Sequence, residues 1–211
     1  MRVLVYGASI TQGFYDTEGG WVQRLRKHYD ELFLKDTSKD QPTIFNLGIS
    51  GDNTDRLLRR FETETQARKF PREDFAFIFM IGTNNAWVRG DGRQNSTPEN
   101  YRRELEELIS KARQYSDKIM FVGIAPCDEA RSQPIPWNKD IFFTNERLRI
   151  FDEALKNVCR QERVKYQPVF DVLKDKMEKE DIYADGLHPN DVGHQLIFEQ
   201  VQPALDELLR S

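Results

Sequence analysis

The sequence predicts an α/β fold: a three-layer α/β/α sandwich built on a five-stranded, mostly parallel sheet. Three observations predict it. Five short apolar runs, β-branched or aromatic in character and bounded by turn residues, recur along the chain. The longer segments between them place apolar residues at helical spacing. The two kinds of segment alternate from end to end, the pattern of parallel strands joined by crossover helices.

The first run, Arg2–Tyr6, leads directly into Gly7-Ala8-Ser9-Ile10-Thr11. Trp21, Leu25, His28, Tyr29 and Leu32 then share one helical face. The second run is Thr43–Asn46 and the third is Phe75–Met80. Thr97 and Pro98 suit the N-cap and first position of a helix whose inner face carries Leu105, Leu108 and Ile109. The fourth run, Lys118–Gly123, is followed by a long connection, Ala125–Phe143, that carries Pro126, Pro134, Pro136 and Trp137. Its length exceeds that of an ordinary connection, so it reads as a functional loop. Leu148, Phe151, Leu155 and Val158 mark another helix, and Tyr166–Val169 the fifth strand. Asn190-Asp191 opens a last helix reaching about Leu209, with Leu196, Ile197 and Val201 inside. Five strands in this pattern suit the flavodoxin-like order 2-1-3-4-5.

A chain of 211 residues fits a single domain spanning 1–211. Its 31 Lys and Arg and 35 Asp and Glu are interspersed, for a net charge of −4. No basic stripe suggests a nucleic-acid partner, and no basic amphipathic or long apolar segment suggests membrane insertion. Cys127 and Cys159 lack metal-ligand spacing and read as reduced thiols. Met1-Arg2 runs straight into a strand rather than a signal sequence, so the expected location is cytoplasmic.

In open parallel sheets, ligands bind beyond the carboxyl ends of the strands. The polar groups just past those ends are Ser9 and Thr11, Asn46 to Asn53, Gly82 to Asn85, and Asp185 to His188. Together they supply a hydroxyl, backbone amides, a carboxamide, a carboxylate and an imidazole, the parts of an acyl-transfer site. A serine hydroxyl needs a base to take its proton. His28 and His194 fall inside helices, whereas His188 sits on a loop at the right face, with Asp185 three residues before it. Gly48 and Asn84 offer an amide and a carboxamide for an oxyanion hole. Each residue also has an ordinary explanation as a turn or cap. Two other ligands stay open: a phosphate cradled by Ser9, Thr11 and Gly13, and a metal held by Asp185, His188 and Asp191.

Four blocks resemble those of the SGNH (GDSL-type) hydrolases, in order and spread over nearly the whole chain. They are Gly7-Ala8-Ser9-Ile10-Thr11, Asn46-Leu47-Gly48, Gly82-Thr83-Asn84-Asn85 and Asp185-Gly186-Leu187-His188-Pro189. The resemblance implies an ester hydrolase with a Ser9, His188 and Asp185 triad. It implies an oxyanion hole of Ser9, Gly48 and Asn84, and no metal or organic cofactor. Two positions depart from the family pattern, Ala8 and Asn85, where aspartate is usual. Both flank matched residues and bear on loop rigidity and rate. The implied substrate is a small ester, with short acyl chains expected because no lid-like amphipathic insert is evident. Trp87 and Trp137 are candidates for its pocket, while Phe142 and Phe143 are expected to pack. Two alternatives stand beside this reading: a non-catalytic flavodoxin-like module that binds its ligand with Ser9 and Thr11, and a degenerate hydrolase kept for carbohydrate binding.

Overall fold

The computed structural model describes residues 1–210. Five parallel strands form the central sheet: β1 (Arg2–Gly7), β2 (Thr43–Gly48), β3 (Phe75–Met80), β4 (Ile119–Val122) and β5 (Lys165–Gln167). Their order is β2-β1-β3-β4-β5, the order the alternating pattern predicts. The longer helices are α1 (Gly20–Lys35), α2 (Thr54–Ala67), α3 (Pro98–Arg113), α4 (Asn145–Glu162), α5 (Phe170–Met177) and α6 (Asp191–Arg210).

Side chains alternate across each strand, so one strand feeds two cores. Val3, Val5, Ile78, Met120 and Val122 face Trp21 and Leu25 of α1 and Ile197 and Val201 of α6. Leu4, Tyr6, Phe77, Phe79 and Phe121 face Phe61 of α2, Leu105 and Leu108 of α3, and Phe151 and Leu155 of α4. Central β3 (Phe-Ala-Phe-Ile-Phe-Met) is buried at every position, as a strand covered on both faces requires. Helix starts follow local chemistry. Thr97 accepts from Asn100 N–H (3.2 Å), and Asn190 accepts from Val192 and Gly193 N–H (3.0 and 3.2 Å).

Some boundaries differ from the sequence expectation. The β1–β2 ladder continues through Gly7 and Gly48, so β2 runs two residues beyond Asn46. β5 starts at Lys165 and stops at Gln167, because Pro168 has no N–H to give a ladder. Val169 then caps α5, a short helix that the periodicity did not single out. The Ala125–Phe143 connection is folded. It contains a helical turn (Glu129–Ser132) and a strand (Ile141–Phe142) that pairs with Val88–Arg89. Phe143 is buried, as expected of a packing residue. Among the described residues no helix is long and apolar enough to cross a membrane. Cys127 and Cys159 are free and buried, and burial pushes their thiols up to about 11 and about 12.

Candidate active site

β1 ends at Gly7, and the chain turns at Ala8 into one helical turn, Ser9–Gln12. Gly13 N–H donates back to Ser9 O (3.0 Å) and closes the corner. Ser9 therefore stands at a sharp strand-to-helix bend on the sheet's carboxyl edge. The Asp185–His188 segment, just before α6, meets Ser9 at the same edge. A turn closed by Ala184 N–H donating to His188 O (2.9 Å) holds it there.

His188 Nε2 lies 2.8 Å from Ser9 Oγ, and His188 Nδ1 lies 2.7 Å from Asp185 Oδ2. Asp185 Oδ1 accepts from the Leu187 and His188 backbone N–H groups (3.0 and 2.8 Å). Burial pushes the Asp185 carboxyl up. The bonds from the His188 ring, the His188 amide and the Leu187 amide outweigh burial and hold the carboxyl at about 2. An ionised carboxylate carries no proton, so the hydrogen on the shared bond sits on Nδ1. Nε2 is then a free acceptor aimed at the Ser9 hydroxyl. A hydroxyl, an imidazole and a carboxylate in series can draw a proton off oxygen.

Asn84 Nδ2 donates to Asp52 O (2.9 Å), which fixes the carboxamide and leaves a second N–H for the cavity. Gly48 does not fill the place expected of it. Its N–H donates to Asn46 Oδ1 (3.0 Å), so the amide is already spent. Gly48 is glycine for a different reason: a Cβ there would meet Gln12 N at 2.4 Å and Ala8 O at 2.8 Å. It lets β2 approach the Ser9 corner. The glycine at the cavity is Gly51, three residues on, whose positive φ of 81° suits glycine. Among the described residues, neither the Ser9 nor the Gly51 N–H donates to a protein group.

Half-buried Arg60 ties these loops together. Its guanidinium donates to Asp52 Oδ2 (2.7 Å), Leu47 O (2.9 Å) and Gly7 O (3.2 Å). At the departing position Asn85, Oδ1 accepts from Thr54 N–H (3.2 Å) and Nδ2 donates to Thr54 Oγ1 (2.7 Å). The Thr54 hydroxyl passes its own proton toward Glu104, so asparagine is served by an acceptor one step further on. Ala8 has no polar side chain to offer, and the corner is held by backbone bonds together with Arg60 on Gly7 O (3.2 Å) and Asn46 Nδ2 on Thr11 O (2.9 Å).

Two hollows meet at Ser9. The larger, about 270 Å³, is lined by Phe14, Tyr15, Ser50, Gly51, Asn84, Trp137, Leu187 and His188 as well as Ser9. The smaller, about 10 Å³, lies among Ala8, Ile10, Met80, Ile81 and Leu187 and holds one water-sized group. Trp137 thus lines the site, and Trp87 does not. Trp87 packs half-buried against the α3–α4 core with Arg89 over its ring, because the short ribbon through Val88 turns it inward. Phe14 and Tyr15 escaped the sequence reading. Their one signal is an aromatic pair just past Ser9 that belongs to neither a strand nor a helical stripe. Tyr15 holds φ 63°, in a loop clamped by Asp16 to Arg24 and by Thr17 to Asp191.

The other readings lose their groups. Thr11 is fully buried, with its hydroxyl toward Met80 O (3.5 Å), and cannot face a phosphate. Both Asp191 oxygens take Thr17 donors, and among the described residues no group of three or more His, Cys, Asp or Glu could hold a metal ion. His28 packs against Tyr29 and Phe198. His194 is buried, accepts from Trp21 N–H and donates to Phe14 O, and burial pulls its pKa down.

Known proteins resemble this chain in sequence or in fold. The isoamyl acetate-hydrolyzing esterase 1 homolog of Mus musculus is 25% identical over 226 residues, covering 100% of this chain and 83% of its own. A lipase/acylhydrolase from Enterococcus faecalis superposes with a TM-score of 0.75 at 21% identity, covering 98% and 96% of the two chains. The acetylxylan esterase Axe2 of Geobacillus stearothermophilus gives 0.73 at 15% identity, covering 97% and 93%. These two structural likenesses establish the fold. Residues 5–196 match the GDSL-like Lipase/Acylhydrolase family, and the chain belongs to that family.

Proposed function

We propose that the protein hydrolyses small carboxylic esters through an acyl-enzyme on Ser9. The observation that carries this reading is the unbroken hydrogen-bonded series from Ser9 Oγ through His188 to Asp185, at 2.8 and 2.7 Å. His188 Nε2 takes the Ser9 proton as Oγ attacks the ester carbonyl. The tetrahedral oxyanion forms where the Ser9 and Gly51 N–H groups and the Asn84 carboxamide converge. His188 returns the proton to the departing alkoxide, and the C–O bond to the alcohol breaks. Water then attacks the acyl-enzyme with His188 again as base, releasing the acid and restoring Ser9.

The two unequal hollows at Ser9 support a substrate with a small acyl part and a larger alcohol. The smaller space, about 10 Å³ or roughly one water-sized group, supports a short acyl part. The alcohol lies in the larger hollow against Tyr15 and Trp137. The mouse relative named for isoamyl acetate is consistent with an acetyl ester. The test is hydrolysis of p-nitrophenyl esters from acetate to octanoate, by the wild type and by Ser9→Ala. The expected result is loss of activity with Ser9→Ala and a kcat/KM that falls steeply beyond propionate. Equal rates on acetate and octanoate would contradict the acyl assignment.

A further inference from the structure

Asp185 has four acceptor positions, and all four are used. Oδ1 takes the Leu187 and His188 amides. Oδ2 takes His188 Nδ1 (2.7 Å) and, from outside the turn, the indole Nε1–H of Trp137 (3.1 Å). Three of the donors belong to the Asp185–His188 turn itself and come wherever it goes. Trp137 alone arrives from elsewhere, from the Ala125–Phe143 connection, 48 residues away in sequence. The connection is braced where the indole projects. Ile135, two residues before it, is fully buried, donates its N–H to Ile141 O (2.9 Å) and accepts from Asn138 N–H (3.2 Å).

The same indole is also a wall of the substrate hollow. Its ring centroid is 6.2 Å from that of His188, and about half of the residue's surface is open to solvent. An exposed tryptophan on a cavity rim is commonly a stacking surface and no more. Here the ring's one polar atom is spent on the carboxylate, so anything that seats or unseats the ring is felt at Asp185 Oδ2.

We propose that Trp137 is a positioning residue that fixes the Asp185 carboxylate plane from the leaving-group side, coupling occupancy of the alcohol subsite to the orientation of His188. This inference rests on the triad reading above. With the indole bond in place, Oδ2 cannot swing away from Nδ1 about the side-chain torsion. An alcohol group packed on the indole holds that bond while His188 carries the transferred proton.

The test is a double-mutant cycle on kcat for p-nitrophenyl acetate, using Trp137→Phe and Asp185→Asn. Phenylalanine keeps an aromatic wall and removes the donor. Trp137 is exposed, so the variant is expected to fold, and circular dichroism checks this. Trp137→Phe should lower kcat about tenfold in the wild-type background, the size of one lost charge-assisted hydrogen bond that water partly replaces. In the Asp185→Asn background the same change should cost less than about twofold, since its target carboxylate is gone. A tenfold loss in both backgrounds would show that Trp137 acts independently of Asp185. A rise in KM with kcat unchanged would reduce it to a stacking surface. Either result overturns the proposal. Ser9→Ala runs alongside: activity that survives it removes the triad reading itself, whereas its loss together with a failed cycle removes only the role of Trp137.

Discussion

Asp185→Asn is a nearly isosteric change with a large expected effect on rate. The wild-type carboxylate accepts four N–H donors, and its carboxyl is held at about 2. An asparagine oxygen can still serve the Leu187 and His188 amides, so the turn survives. Its Nδ2 then stands where Oδ2 was, a donor facing two donors. The simplest relief moves the imidazole hydrogen from Nδ1 to Nε2, so that Nδ1 accepts from the Nδ2 of the introduced carboxamide. Nε2–H then points at Ser9 Oγ and cannot take its proton. A wrong tautomer of this kind costs on the order of 10⁴ in kcat where it has been measured in a serine triad. The assay is steady-state hydrolysis of p-nitrophenyl acetate, with KM followed separately and expected to change little. A loss smaller than about tenfold would refute the claim that Asp185 sets the tautomer. Stability moves in a defined sense as well. The folded carboxyl lies below its unfolded value of roughly 4, so its contribution is present above that value and is lost as pH falls through about 2. Asp185→Asn should flatten that part of the acid-unfolding curve, which thermal melts between about pH 2 and pH 5 would read.

Two other substitutions separate chemistry from support. Asn84→Ala removes a carboxamide already aimed by Asp52 O and should lower kcat about 10²- to 10³-fold with KM nearly unchanged, by the same assay. Asp152→Ala should act on stability instead. It strips the acceptor from buried Ile124 N–H (2.8 Å) and from Tyr166 OH (2.8 Å), at a cost of about 2–4 kcal/mol, read by urea unfolding. Turnover per folded molecule should stay within a few-fold.

The strand order and the placing of Ser9, Asn84, Asp185 and His188 were legible because their signals are local. Each strand is an apolar run ended by turn residues; Ser9 and Asn84 fall just past such an end, and Asp185 and His188 fall just before the last helix. What failed depends on the path of the chain in space. Gly48 ends β2 and Gly51 follows three residues on, and nothing in their spacing says which amide Asn46 consumes. Trp87 and Trp137 were equivalent in sequence until the Val88–Arg89 and Ile141–Phe142 pairing turned one inward and left the other on the rim. Tyr15 owes its place to a positive φ and to clamps from Arg24 and Asp191, the latter 174 residues from Thr17. α5 was missed because eight residues give barely two turns, too few for a periodic stripe.

The central claim is that Ser9 is the nucleophile. It is tested most directly by reaction with a fluorophosphonate, followed by intact mass and peptide mapping. One adduct per chain on Ser9, absent in Ser9→Ala and slowed strongly by His188→Asn, is the expected result. A protein that takes no label, or takes it on another residue while Ser9→Ala labels as the wild type does, would contradict it.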